Sequence, residues 1–136
     1  MANINLQALS QYQQVGVETS LTDASPYEVI RLLMEGALER IVRAKGALGR
    51  GDIVLKAKLL PQAVRIIESL SVHLDKERGG ELADNLEALY SYMIRRLVEA
   101  NAFNNAAALD EVMGLLGEIK AGWDAIAPAG DEGGWP

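Results

Sequence analysis

The chain has 136 residues, of which 49% are hydrophobic and only 5% aromatic, and it contains no cysteine. That is the size of one domain with a single core; it favours helix packing over a β-sandwich and excludes a disulfide framework or thiolate chemistry. A formal net charge of −6 and a pI near 4.8 argue against a nucleic-acid or anionic-membrane partner, because phosphate binding needs a basic patch. The N-terminus lacks the basic region and apolar stretch of a secretory signal, and no run approaches the ~20 apolar residues of a membrane span. The expectation is a soluble cytoplasmic protein without membrane insertion.

Residues 1–24 form a leader without a long helical period, extended or briefly helical, whose apolar residues Ile4, Leu6, Leu9, Tyr12, Val15 and Val17 suit packing on a bundle. The first long helix has a clear start: Ser25 at the N-cap, Pro26 in the first turn and Glu28 three residues on make a capping box. Its inward stripe is Ile30, Leu33, Ala37, Ile41, Ala44 and Leu48. Gly51 stops it, and Asp52 caps a second helix expected from Ile53 to Lys76, with Ile53, Leu60, Val64, Ile67, Ser71 and Leu74 inward. Pro61 lies within this span and predicts a kink near Ala57–Pro61, or a helix regular only beyond it. Gly79-Gly80 is expected to end the element.

Two further apolar runs follow at helical spacing: Leu82, Leu86, Leu89, Met93, Leu97 and Ala100, then Leu109, Val112, Leu116, Ile119, Trp123 and Ile126. Asn104-Asn105 makes the turn between them. Short connections leave each helix antiparallel to the last, so the fold predicted is all-α, an antiparallel up-down-up-down four-helix bundle over residues 25–126. Residues 127–136 read as a disordered tail. An echo at an offset of 56, Arg40–Ala44 over Arg96–Ala100, is what two helical hairpins share by necessity.

Chemistry is hard to find. His73 and Glu77 make one i, i+4 pair with no evident third ligand, and a lone histidine cannot supply the two Glu-x-x-His motifs of a di-iron bundle. Glu35 and Glu39 lie beside Arg40 and Arg43 as on a solvated face. Arg95 and Arg96 can grip a carboxylate, although Arg95 also stands four residues before Glu99. The Gly-rich pieces match no phosphate loop. No cofactor and no enzymatic activity are expected.

Apolar residues remain once the core stripes are assigned. Tyr90, Ile94 and Val98 follow at spacing four, and Leu55, Leu59, Ile66 and Leu70 form a second stripe. Half of this excess belongs to the wide stripe any small bundle buries; the rest suits a groove for an amphipathic helix.

The segment Asn85-Leu-Glu-Ala-Leu-Tyr-Ser-Tyr-Met-Ile-Arg-Arg-Leu-Val-Glu-Ala-Asn101, followed by a final helix ending in Trp123, resembles the FliS family of flagellin export chaperones. Tyr12-Gln-Gln-Val-Gly-Val-Glu-Thr19, Ser25-Pro26 and Met34-Glu-Gly-Ala-Leu38 agree with it in order, so the similarity runs from about Tyr12 to Trp123. The resemblance implies a chaperone that binds the disordered C-terminal segment of flagellin and delivers it to the flagellar export machinery. The partner-binding residues expected are Tyr12, Leu59, Ile66, Leu70, Tyr90, Ile94 and Val98, with Tyr12 in a leader that covers the bundle when cargo is absent. The competing expectation is a structural or adaptor bundle acting through self-association, for which a weak homodimer is the minimal form.

Overall fold

The computed structural model describes residues 25–126, and these form four α-helices: α1 Pro26–Gly49, α2 Ile53–Val72, α3 Lys76–Phe103 and α4 Ala106–Ala125. Among the described residues there is no strand. Each helix packs on its chain neighbours, and α1 closes the ring against α4. The senses are antiparallel: Tyr27 at the start of α1 bonds Trp123 at the end of α4, and Lys56 early in α2 bonds Asn101 late in α3. The all-α four-helix bundle expected from periodicity is the fold observed. The leader and tail lie outside the described residues.

The helix ends follow side-chain chemistry. Ser25 Oγ accepts from Glu28 N at 3.2 Å, half of the expected capping box; the other half is replaced, because the Glu28 carboxylate turns to Arg31. Gly51, at φ +79°, makes the left-handed step after α1 that a side chain would resist. Asp52, Asp75 and Asn105 each accept the backbone N–H three residues on, capping α2, α3 and α4. Asn104 ends α3 at φ 53° and donates its N–H to Ala100 O, so the Asn-Asn turn is as the sequence indicates.

Three expectations need correction. First, α2 ends at Val72 with His73 as C-cap, short of Lys76, because Asp75 opens the next helix. Second, Gly79-Gly80 does not end α2, which has already stopped; it does break the helical path, because Gly80 at φ 52°, ψ −124° separates a single turn begun at Lys76 from the long part of α3. Third, α2 is already helical from Ile53, about two turns before Pro61. Ala57, whose carbonyl loses its donor to the proline ring, is exposed with Pro61, so water can take the freed acceptor.

One core runs through all four helices. Ile30, Leu33, Ala37, Ile41 and Ala44 of α1 and Leu109, Val112, Leu116 and Trp123 of α4 are buried as expected, whereas Ile53, Leu82 and Ile126 are exposed. Trp123, 2% exposed, stacks on Tyr27 with ring centroids 5.0 Å apart. Tyr27 Oη donates to Trp123 O (2.9 Å) and Trp123 Nε1 donates to Tyr27 O (3.1 Å), so stacking and two hydrogen bonds join the first turn of α1 to the last of α4. Burial pushes the Tyr27 hydroxyl above its ordinary value, and nearby Asp124 adds to this.

Candidate functional site

At 100° per residue, the buried positions of α2 from Lys56 to Leu70 centre roughly 75° away from the stripe read off the sequence. Leu59, Ile66 and Leu70, read there as surplus, are at most 2% exposed and lie in the core. The physical reason is that α2 packs on both α1 and α3 and buries a face wide enough for both stripes. Val64, assigned to the core, is half-buried on the flank.

On α3 the surplus stripe divides. A spacing of four advances about 40° past a full turn at each step, so Tyr90, Ile94 and Val98 wind away from the core. Tyr90 is buried at 2%, Ile94 is half-buried against the core, and Val98 is 56% exposed. Burial pushes the Tyr90 hydroxyl well above its ordinary value. The expectation that Leu59, Ile66, Leu70 and Tyr90 are exposed is therefore corrected; Val98 is the one that reaches solvent. Tyr12 lies outside the described residues.

Val98 faces a groove of about 570 Å³ between α2 and α3. Ala57, Leu60, Pro61 and Val64 supply one wall, and Leu97, Val98 and Ala102 the other. The groove exists because the facing residues are short: Ala57 and Pro61 oppose a valine and an alanine, where the α1–α4 seam has an indole on a phenol. Arg65 and Glu68 stand on the α2 side.

Lys56 and Asn101 close one end. Lys56, 3% exposed, donates through Nζ to Asn101 O (2.8 Å) and Oδ1 (2.9 Å). Asn105 N bonds Ala100 O instead of continuing the ladder, so Lys56 satisfies a carbonyl in the last turn of α3, where the helix dipole favours a cation. Lys56 is missing from the sequence expectations because a lysine near a helix start reads as a surface residue. The signal was its register, three residues before Leu59 and four before Leu60, in the centre of the buried face.

Other polar side chains clasp α3 to α4. Tyr92 Oη and Arg96 Nε donate to the Glu111 carboxylate at 2.6 and 2.8 Å, and these bonds hold that carboxyl below its usual range. Arg96, not Arg95, also takes Glu99, while the Arg95 guanidinium lies 5.8 Å from the Tyr92 ring centroid. His73 shares a hydrogen bond through Nδ1 with Ser69 O (3.0 Å), and Nε2 is buried with no partner among the described residues. Desolvation lowers the pKa of this imidazole. Among the described residues no helix is long and apolar enough to cross a membrane.

The model of the family described as "Flagellar protein FliS" matches residues 8–130. The chain is 52% identical over 122 residues to the flagellar secretion chaperone FliSB of Pseudomonas aeruginosa, covering 90% of this chain and 97% of the relative. It is 46% identical to the flagellar secretion chaperone FliS of Salmonella typhimurium, covering 88% of this chain and 90% of the relative. The flagellar secretion chaperone FliS of Bacillus subtilis matches at 37% identity over 82% of this chain and 80% of its own length. A match that takes in all four helices, with 80% or more of each of these relatives covered, makes the chain a member of the FliS family.

Proposed function

We propose that this protein is a cytoplasmic export chaperone that binds the disordered C-terminal segment of flagellin, prevents its premature polymerisation and passes it to the flagellar secretion apparatus. The observation that carries the reading is the family match over residues 8–130, with relatives named as flagellar secretion chaperones. The groove between α2 and α3 supports it: apolar along both walls, with charged side chains at the rim, it has the character of a site for an amphipathic helix.

The physics asks little more. A flagellin segment that folds only on polymerisation carries apolar helical faces open to other copies. Laying such a face against Pro61, Val64 and Val98 removes it from solvent and from self-association, offset by the entropy of ordering the segment. No nucleotide is needed, and release follows when the export machinery competes for the same segment. Ile94 stands one turn before Val98 on α3, half-buried against the core. Tyr12 of the leader is proposed to cover part of this surface when cargo is absent, so removing residues 1–19 should tighten binding.

Calorimetric titration of the purified protein with a flagellin C-terminal peptide tests the proposal. A discrete one-to-one complex with a negative heat-capacity change supports it. Absence of binding, together with a stable oligomer of the free protein, overturns it in favour of the self-associating adaptor.

A further inference from the structure

Lys56 has an unusual environment for a buried cation. Exposed Lys45 and Lys76 each have a carboxylate at 2.5 Å, yet none of the ion pairs among the described residues involves Lys56. Its two acceptors, Asn101 O and Oδ1, are both neutral oxygens, and an ammonium has three N–H donors. The end of the α3 dipole supplies part of the compensation. Lys56 stands among the lining residues of the groove, whose charged members are Lys56, Arg65 and Glu68, two cations against one anion. In a chain of net charge −6, this seam is locally positive.

We infer that the groove is built for a helix whose apolar face carries one carboxylate side chain, set against Lys56. The inference rests on the cargo reading above and names the charged group the cargo must bring. A purely apolar helix would cover the ammonium without compensating it, and a basic side chain would be repelled. One buried polar contact in an otherwise apolar seam also fixes the register in which the incoming helix lies, as a single polar position does in a coiled coil. The apolar contacts with Pro61, Val64 and Val98 hold the helix; the pair with Lys56 chooses where along the groove it stops.

A double-mutant cycle tests this. The probe is the flagellin C-terminal peptide, made as a series in which each Asp or Glu in turn becomes Asn or Gln, titrated against wild type and Lys56→Met. One neutral substitution should weaken binding to wild type at least tenfold and change binding to Lys56→Met less than twofold. On Arg65→Gln the tenfold loss should persist. If no single side chain couples to Lys56 while the parent peptide binds, the inference fails and the cargo reading stands. If only amidation of the peptide's terminal carboxylate couples, the assignment to a side chain is wrong. A parent peptide that does not bind wild type removes both. Should Lys56→Met fail to fold, the series on wild type and Arg65→Gln decides: no tenfold loss at any one position refutes the inference.

Discussion

The seam between α1 and α4 and the seam between α2 and α3 belong to one bundle and differ in what fills them. Tyr27 and Trp123 stack across the first and exchange two hydrogen bonds. Across the second, Ala57 and Pro61 meet Val98 and Ala102, leaving a groove of about 570 Å³ closed at one end by Lys56 and Asn101. The backbones follow the same antiparallel pattern, so side-chain volume sets the difference: two large rings seal a seam that small residues leave open. A bundle with one sealed seam can offer an open one to a partner without giving up its core.

Breaking the core below the groove should have the largest effect. Ile66→Asp removes a buried side chain, at about 2–5 kcal/mol, and adds an unpaired carboxylate at several kcal/mol more. The total is comparable to the whole stability of a domain, roughly 5–15 kcal/mol. No cooperative melt should remain; a native melt would place Ile66 at the surface. Next comes the sealed seam. Trp123→Ala should lower stability by about 3–5 kcal/mol in urea unfolding, and a change under ~1 kcal/mol would mean that the stack with Tyr27 contributes little. Tyr27→Phe keeps the ring and loses one hydrogen bond, which should cost about 0.5–1.5 kcal/mol.

How far these features were legible in the sequence depended on how widely large apolar side chains spread around each helix. On α4 alanine and glycine fill much of the remaining surface, and the spacing of the large apolar residues located Leu109, Val112, Leu116 and Trp123 correctly, while Ile119 is only partly buried and Ile126 is exposed. On α2 apolar residues occupy more than half the circumference, so the period alone could not find the centre of the buried face, and Leu59, Ile66 and Leu70 were read as surplus. The register of Tyr90, Ile94 and Val98 did contain the answer, since a spacing of four drifts steadily off the core. The register of Lys56 marked it as buried, but its bonds to Asn101 and the Tyr27–Trp123 exchange were not legible, because each depends on residues far apart in the chain meeting at a helix end. Gly79-Gly80 misled for a related reason: Asp75, with its acceptor three residues before Arg78 N, was the stronger boundary signal.

A smaller effect separates the far end of the α2–α3 seam, where His73 caps α2. Desolvation depresses its pKa from the ordinary value of about 6.5. The unfolded chain therefore takes the proton first, and stability present above about pH 6.5 is lost as pH falls through the lower folded value. Glu28 and Glu111, also held low, act in the same direction only near and below about pH 4.3. Between pH 7 and 5 the melting temperature of wild type should fall, and that of His73→Asn should fall less. Parallel profiles would contradict the assignment.

The most direct test of the open seam compares two valines. Val98 in the groove and Val42 on α1 are 56% and 55% exposed, so Val98→Asp and Val42→Asp make the same chemical change at the same degree of burial. Both variants should melt within about 0.5 kcal/mol of wild type, as surface substitutions do. Titrated with the flagellin C-terminal peptide, Val98→Asp should lose at least tenfold in affinity, about 1.4 kcal/mol, and Val42→Asp less than twofold. Equal losses, or a larger loss at Val42, would contradict the account and move the binding surface off the α2–α3 seam.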